Sequence, residues 1–166
     1  VVYNVPSRTV ADISVETLAK ISEHPRIVAI KDATGNLARV SAQRLSCRKD
    51  FIQLSGNDDM ALGFSAMGGV GCISVTANVA PRLCAEFQAA CLEDRWKDAL
   101  VLQDRLYPLH AALFSDASPG PVKYALSRVR DGYPPDFRLP RTPPSEASRG
   151  AVDAALAHAG LTNGPA

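Results

Sequence analysis

One of the five lysines among the 166 residues closes a short apolar run, Ile27-Val28-Ala29-Ile30-Lys31. If that run is a strand of a parallel βα architecture, Lys31 stands at the C-terminal strand end, where such folds gather their reactive groups. An amine there has a specific use. A lysine of ordinary pKa, about 10.4, is protonated near neutrality, but an apolar strand end disfavours the cation and exposes a free amine able to attack a ketone. The same position also suits a lysine that snorkels to solvent as its strand ends. Tyr3 occupies the equivalent place one unit earlier, in Tyr3-Asn4-Val5-Pro6-Ser7-Arg8-Thr9. A phenol there can relay protons for carbinolamine formation and dehydration, and Arg8 in the following loop can fork onto a carboxylate. Taken singly, Tyr3 reads as a core tyrosine and Arg8 as a surface arginine. Their case rests on their company.

Two later segments supply further candidates, Ser55-Gly56-Asn57-Asp58-Asp59 and Gly71-Cys72-Ile73-Ser74-Val75-Thr76. Gly56 lets backbone approach a small substrate closely, and Ile73 offers backbone groups at the same level. Asp58 and Asp59 would repel phosphate, which points to a non-phosphorylated substrate. Other motifs fail. Gly69-Val70-Gly71 precedes its apolar run, so it is no dinucleotide fingerprint, and no Gly-x-Ser-x-Gly elbow occurs. His24, His110 and His158 are far apart, without carboxylate or thiol at ligand spacing. A lysine-based mechanism without a metal is what this inventory leaves.

The elements that must position these residues repeat along the chain. Val1–Val5, Ile27–Ile30, Phe51–Leu54 and Cys72–Val75 are short, rich in β-branched residues and lacking polar alternation. That pattern predicts parallel strands covered on both faces. Between them lie helix patterns. Ser14 caps one in which Ile13 and Leu18 are spaced as a hydrophobic staple, Val15, Leu18 and Ile21 share a face, and Pro25 stops it. Met60, Phe64 and Met67 mark another, preceded by Asp58 and Asp59. Four such strands are half a barrel, and the chain is too short for a whole one, which takes about 200–250 residues.

Beyond Val75 the pattern is helical: 78–92; 96–113 with Trp96, Ala99, Leu100, Leu106 and Leu113 on its face and a kink at Pro108; and a helix opening at Pro121. A Pro-rich link, Pro134 to Pro144, leads to a last helix capped by Ser145, with Val152, Ala155, Leu156 and Ala159 inward and Gly160 as its stop. The expected organisation is an α/β part over residues 1–78 and a helical region over 79–166.

Composition bounds the function. With 46% hydrophobic residues the chain can bury a core, and a formal charge of +1 without charged blocks disfavours nucleic acid and membrane surfaces as partners. Cys47, Cys72, Cys84 and Cys91 form no CxxC pair and read as reduced thiols, and no apolar run reaches the length of a membrane span. The expectation is a cytoplasmic protein. The first residue, Val1, lies inside a strand pattern, so the stretch reads as part of a longer chain.

The strings Tyr3-Asn4-Val5-Pro6-Ser7-Arg8-Thr9, Ala29-Ile30-Lys31-Asp32-Ala33-Thr34-Gly35-Asn36, Leu54-Ser55-Gly56-Asn57-Asp58, Gly71-Cys72-Ile73-Ser74-Val75-Thr76-Ala77-Asn78 and Pro121-Val122-Lys123 closely resemble the dihydrodipicolinate synthase family, in its order and spacing. The resemblance runs to Ala157-His158-Ala159-Gly160-Leu161. It implies the C-terminal half of a (β/α)₈ TIM barrel, its last four strands, followed by a C-terminal helical region. It also implies condensation of pyruvate with aspartate 4-semialdehyde to 4-hydroxy-tetrahydrodipicolinate, on the route to diaminopimelate and lysine. By the same resemblance Lys31 forms the Schiff base, Tyr3 relays protons, Arg8 receives the semialdehyde carboxylate and the Ile73 backbone meets pyruvate. No cofactor is implied, only the imine with the substrate.

The chain departs from the family pattern in three places. Four preceding βα units, with a Gly-Thr-Thr carboxylate site and a second tyrosine from a neighbouring subunit, do not occur in this sequence. Asn57 replaces a usual acidic residue, and Ser118-Pro119-Gly120-Pro121 replaces a usual Asn-Pro-x-Pro. The family implies a homotetramer that also needs the N-terminal half of the barrel, and a chain of weak or no activity on its own. Two alternatives stand beside this reading: a related pyruvate-lysine aldolase of the N-acetylneuraminate lyase or keto-acid type, and a non-catalytic half-barrel assembly module whose unpaired strand edges bind another copy.

Overall fold

Three of the four apolar runs become strands. In the computed structural model, which describes residues 1–134 and 136–162, β1 spans Val2–Asn4, β2 Ala29–Asp32 and β3 Ile52–Ser55. They form one parallel sheet in the order β1-β2-β3. The fourth run, Cys72–Val75, makes only an isolated parallel bridge, Ser55 to Cys72. The expected four-stranded sheet is therefore three-stranded with a single rung beyond it. The physical reason lies in where the run's side chains go: the Ser74 hydroxyl and, at 4.0 Å, the Cys72 thiol turn to the Asp58 carboxylate, and a 3₁₀ turn opens at Thr76.

The described residues form two compact units. The first comprises Val1–Ser74 with Cys91–Asp94; the second comprises Val75–Ala90 and the described residues from Arg95 onward. In the first, α1 (Pro6–Thr9) and α2 (Val15–Ser22) follow β1, α3 (Ala38–Ser46) follows β2, and a 3₁₀ turn (Asp58–Met60) with α4 (Ala61–Ala66) follows β3. The local signals explain α2. Ser14 Oγ accepts the Thr17 N–H at 3.2 Å, satisfying one of the helix's orphan donors. Leu18 and Ile30 are completely buried in a cluster with Cys47 and Phe51, and Ile13, Ala19, Ile21 and Ile27 pack against it. Full burial of each of those two aliphatic side chains contributes about 1.5–3 kcal/mol.

Coverage of the sheet is one-sided. Ile30, Asp32, Gln53 and Ser55 face the helices and are buried, whereas Tyr3 and Ile52 on the other face are 51% and 42% exposed. The expectation of strands enclosed on both faces holds for one face only, because no second layer of the described residues covers the other.

The second unit holds a 3₁₀ turn (Thr76–Asn78), α5 (Pro81–Leu92), α6 (Trp96–Ala112), α7 (Gly120–Val129) and α8 (Glu146–His158). Helix α8 packs on both α6 and α7. Leu106, Leu109, Leu113, Val152 and Leu156 are fully buried, while Trp96 and Leu100, expected inward, are exposed. Pro108 sits inside α6 without ending it. Ser145 caps α8 through the Ser148 N–H at 3.2 Å, and Gly160 follows it with φ +69°, the left-handed geometry that stops a helix. Of the expected Pro134–Pro144 link, Pro135 lies outside the described residues, and the rest forms neither helix nor strand. Among the described residues Cys47, Cys72, Cys84 and Cys91 form no disulfide. Among the described residues no helix is long and apolar enough to cross a membrane.

Candidate active site

The parallel register of β1 and β2 pairs Tyr3 with Lys31 and Asn4 with Asp32. Paired residues on neighbouring strands share a face at about 4.8 Å, so Tyr3 and Lys31 emerge side by side on the open face. Lys31 Nζ lies 4.1 Å from the centroid of the Tyr3 ring. The apolar surroundings expected for the amine are thinner than its sequence neighbours suggest. Ile30 belongs to the opposite face of the strand and packs under the helices, leaving Lys31 half-buried between Tyr3 and the chain at Gly56.

Gly56 fits against the same lysine. Its N–H donates to the Asp32 carbonyl at 2.7 Å. A Cβ at this position would stand 2.7 Å from Ala33 Cβ, 3.1 Å from Lys31 Cε and 3.2 Å from the Asp32 oxygen. Glycine is required here by close approach. Gly56→Ala is expected to displace the lysine stem and slow any reaction of the Lys31 amine with a carbonyl compound by about tenfold or more, since small misplacements of a reacting group are costly. Single-turnover trapping of the adduct checks this, and an unchanged rate would remove Gly56 from the site.

Ile73 follows the isolated bridge. Its N–H donates to the Ser55 carbonyl at 2.9 Å and its side chain is 42% exposed. The N–H is thus committed to the sheet. Arg8 lies in the four-residue α1, immediately after β1, with its side chain exposed. The structure therefore brings Tyr3, Lys31 and Gly56 into contact, and it leaves Arg8 and Ile73 on the segments that follow β1 and the bridge. Asp58 differs from expectation: it is buried and receives the Ser74 hydroxyl, so Asp59 alone of the pair is exposed.

A set of polar residues behind the strands was not among the candidates. Asn4 and Asp32 are both buried on the helix face, and Arg39 and Gln43 of α3 reach toward them. The available signal was the presence of Asn and Asp within otherwise apolar strand runs, since a buried polar group needs a partner. In the second unit, Thr76 Oγ1 and His110 Nδ1 are 2.7 Å apart and both buried. No group of three or more His, Cys, Asp or Glu among the described residues is arranged to hold a metal ion.

Comparison with known proteins decides the family. The model of the dihydrodipicolinate synthetase family matches residues 1–159. The chain belongs to that family. It is 72% identical over 161 residues to 4-hydroxy-tetrahydrodipicolinate synthase of Rhizorhabdus wittichii, covering 97% of this chain and 55% of the relative. It is 69% identical over 160 residues to the Zymomonas mobilis protein of the same name, covering 96% and 55%. Thus the chain spans about half the length of the curated relatives it matches. Among solved structures, dihydrodipicolinate synthase of Aquifex aeolicus superposes with a TM-score of 0.90 at 36% identity, over 96% of this chain and 54% of that one. The chloride-inhibited synthase of Acinetobacter baumannii, solved in complex with pyruvate, gives 0.88 at 38% identity, over 96% and 55%. Family members of known structure thus share the α/β arrangement of this chain, a parallel sheet with its helices.

Proposed function

We propose that this chain is the nucleophile-bearing part of a Schiff-base-forming lyase that condenses pyruvate with aspartate 4-semialdehyde to give 4-hydroxy-tetrahydrodipicolinate. The observation that carries the reading is the contact of the Lys31 amine with the Tyr3 ring at two adjacent parallel strand ends. It is supported by the pyruvate complex of the Acinetobacter relative. In this reading the stretch from Val1 to Asn78 is the second half of a (β/α)₈ barrel, and residues 79–166 hold its last helix and a C-terminal helical region. The open face carrying Tyr3, Lys31 and Ile52 is then the barrel interior, covered in the complete protein by the N-terminal half. The protein works in the cytoplasm as a homotetramer, and this stretch by itself turns over slowly or not at all.

The chemistry needs no separate cofactor. The Lys31 amine adds to the pyruvate ketone, and the carbinolamine loses water to form a protonated imine. Tyr3 passes the protons between nitrogen and oxygen in those steps. The imine withdraws electrons, so the pyruvate methyl gives up a proton and becomes an enamine carbon, which attacks the aldehyde of the second substrate. The aldehyde oxygen takes up a proton to become the hydroxyl, and the semialdehyde's own amino group adds to the regenerated imine carbon and expels the Lys31 amine as the ring closes. The Ile73 carbonyl and the close backbone at Gly56 line the pyruvate end. Arg8 receives the semialdehyde carboxylate in a bidentate pair.

Reduction with borohydride in the presence of labelled pyruvate tests this reading in the full-length protein as its gene encodes it. The label is expected on the peptide containing Lys31, and label on another lysine, or none, overturns the mechanism. Arg8→Ala separates the synthase from a sugar-acid aldolase. The expected result is an increase of about tenfold or more in the semialdehyde KM with unchanged trapping of pyruvate, as for loss of a charge-assisted bidentate contact. Unaltered semialdehyde turnover together with efficient cleavage of a sugar acid would favour the aldolase.

A further inference from the structure

We propose that Arg39 is a positioning residue for the Lys31–Tyr3 pair, fixing the ends of β1 and β2 against each other from behind the sheet. The inference rests on the function proposed above, because it gives Arg39 a part in the same imine chemistry.

Side chains alternate along a strand, so each of the two strand ends carries a candidate for chemistry on the open face and a polar residue on the helix face. On β1 these are Tyr3 and Asn4; on β2 they are Lys31 and Asp32. Asn4 and Asp32 are 2% and 5% exposed, so each needs hydrogen-bond partners. Asn4 Nδ2 donates to Asp12 Oδ1 at 2.8 Å, and its Oδ1 accepts the Ile13 N–H at 3.2 Å. Asp32 accepts the Thr34 N–H at 2.9 Å, the Thr34 hydroxyl at 2.7 Å and Gln43 Nε2 at 2.7 Å.

Arg39 joins the two clusters. Its Nη1 donates to Asp12 Oδ2 at 3.0 Å, its Nη2 donates to the Ile13 carbonyl at 2.5 Å, and its Nε stands 3.6 Å from Asp32 Oδ2. The last distance is an ion pair and not a hydrogen bond. A continuous chain results: Asn4, Asp12, Arg39, Asp32. On the backbone the same level is closed by Ala33 N–H to the Asn4 carbonyl at 2.9 Å and Gly56 N–H to the Asp32 carbonyl at 2.7 Å.

Stability alone is a weak reason for such a layer. Apolar residues of similar volume would hold helix and sheet together at least as well, because charges taken from water repay their desolvation poorly. What a planar, forked guanidinium adds is one geometry: Nη1 and Nη2 are aimed at fixed acceptors on Asp12 and Ile13, which holds the charge against Asp32 on β2. That geometry is set one residue away from both Tyr3 and Lys31. A shift of β1 past β2 would have to break the Arg39 bridge, and the same shift would carry the phenol away from the amine.

The test uses Arg39→Met, Arg39→Lys and Asp12→Asn in the full-length protein as its gene encodes it. The rate of borohydride-trapped adduct formation is followed against pyruvate concentration, with circular dichroism to score folding. In folded Arg39→Met the saturating rate is expected to fall about 10- to 100-fold, with half-saturation moved by less than about threefold. Arg39→Lys, which keeps the charge but not the fork, is expected to recover part of the rate. Asp12→Asn alters a half-exposed carboxylate and is expected to lower the saturating rate about threefold or more. A merely structural role would lower the melting temperature and leave the saturating rate of folded molecules unchanged. Wild-type saturating rates in Arg39→Met and Asp12→Asn overturn the proposal. If Arg39→Met fails to fold, Asp12→Asn decides by the same criterion. Absence of any adduct in the unmutated protein overturns the imine reading and this proposal with it, whereas adduct in the unmutated protein with undiminished variants overturns only the role of Arg39.

Discussion

Lys31→Arg is expected to abolish covalent capture of pyruvate and to lower turnover by at least about 10³-fold, the scale on which loss of a covalent nucleophile is felt. The substitution is chosen to preserve everything except nucleophilicity. A guanidinium keeps the positive charge and can lie over the Tyr3 ring as the ammonium does, so the strand end should stay folded. It remains protonated at any working pH and has no free lone pair to offer a ketone. The other lysines do not occupy an equivalent place. Lys20, Lys49 and Lys97 are exposed, and Lys123 donates to the Asp136 carbonyl and stands 5.3 Å from the centre of the Phe137 ring. Mass spectrometry after borohydride reduction reads the outcome directly. Adduct of normal stoichiometry in the Lys31→Arg protein would move the chemistry elsewhere.

Tyr3→Phe is expected to slow imine formation by about 10²- to 10⁴-fold, the range for loss of a positioned acid–base group. The ring that packs beside Lys31 is retained, so this substitution separates proton relay from packing. Melting temperature should change little, because the substitution removes only the hydroxyl and keeps the ring and its packing. Tyr3→Ala removes both functions and should be no faster than Tyr3→Phe. A Tyr3→Phe protein that traps pyruvate at the original rate would reduce the tyrosine to a ring against which the lysine rests.

Much of the fold could be read from local patterns. The β-branched apolar runs marked β1, β2 and β3, and Ser14 and Ser145 marked two helix starts that the structure bears out through side-chain caps. Helix α3 left no such mark. Its sequence, Ala38–Ser46, buries Val40 and Gln43 while Leu45 is exposed, so hydrophobic periodicity has little to register. Beside Val40 the face it turns inward carries Arg39 and Gln43, which are matched to Asp12 and Asp32, residues that lie outside the helix itself. For the same reason the residues behind the site escaped notice. Their pairing is long-range, and a polar residue in a strand shows only that a partner must exist. The Cys72–Val75 run failed for the opposite reason: its composition suits a strand, but its side-chain contacts with Asp58 and the turn at Thr76 limit it to one rung.

By itself, the sequence determined where the amine sits on its own strand, which helices are capped, and the motifs that resemble the family. Each depends on interactions spanning a few residues, or on residue types that survive in the string. Tertiary structure alone decided that Tyr3 faces Lys31, that Gly56 must lack a side chain to leave the lysine room, and that Arg39 bridges the polar residues behind both strands. Alternation along a strand is local, but the register between strands is fixed by a hydrogen-bond ladder joining distant segments. A slip of β1 by one residue against β2 would put Tyr3 and Lys31 on opposite faces of the sheet.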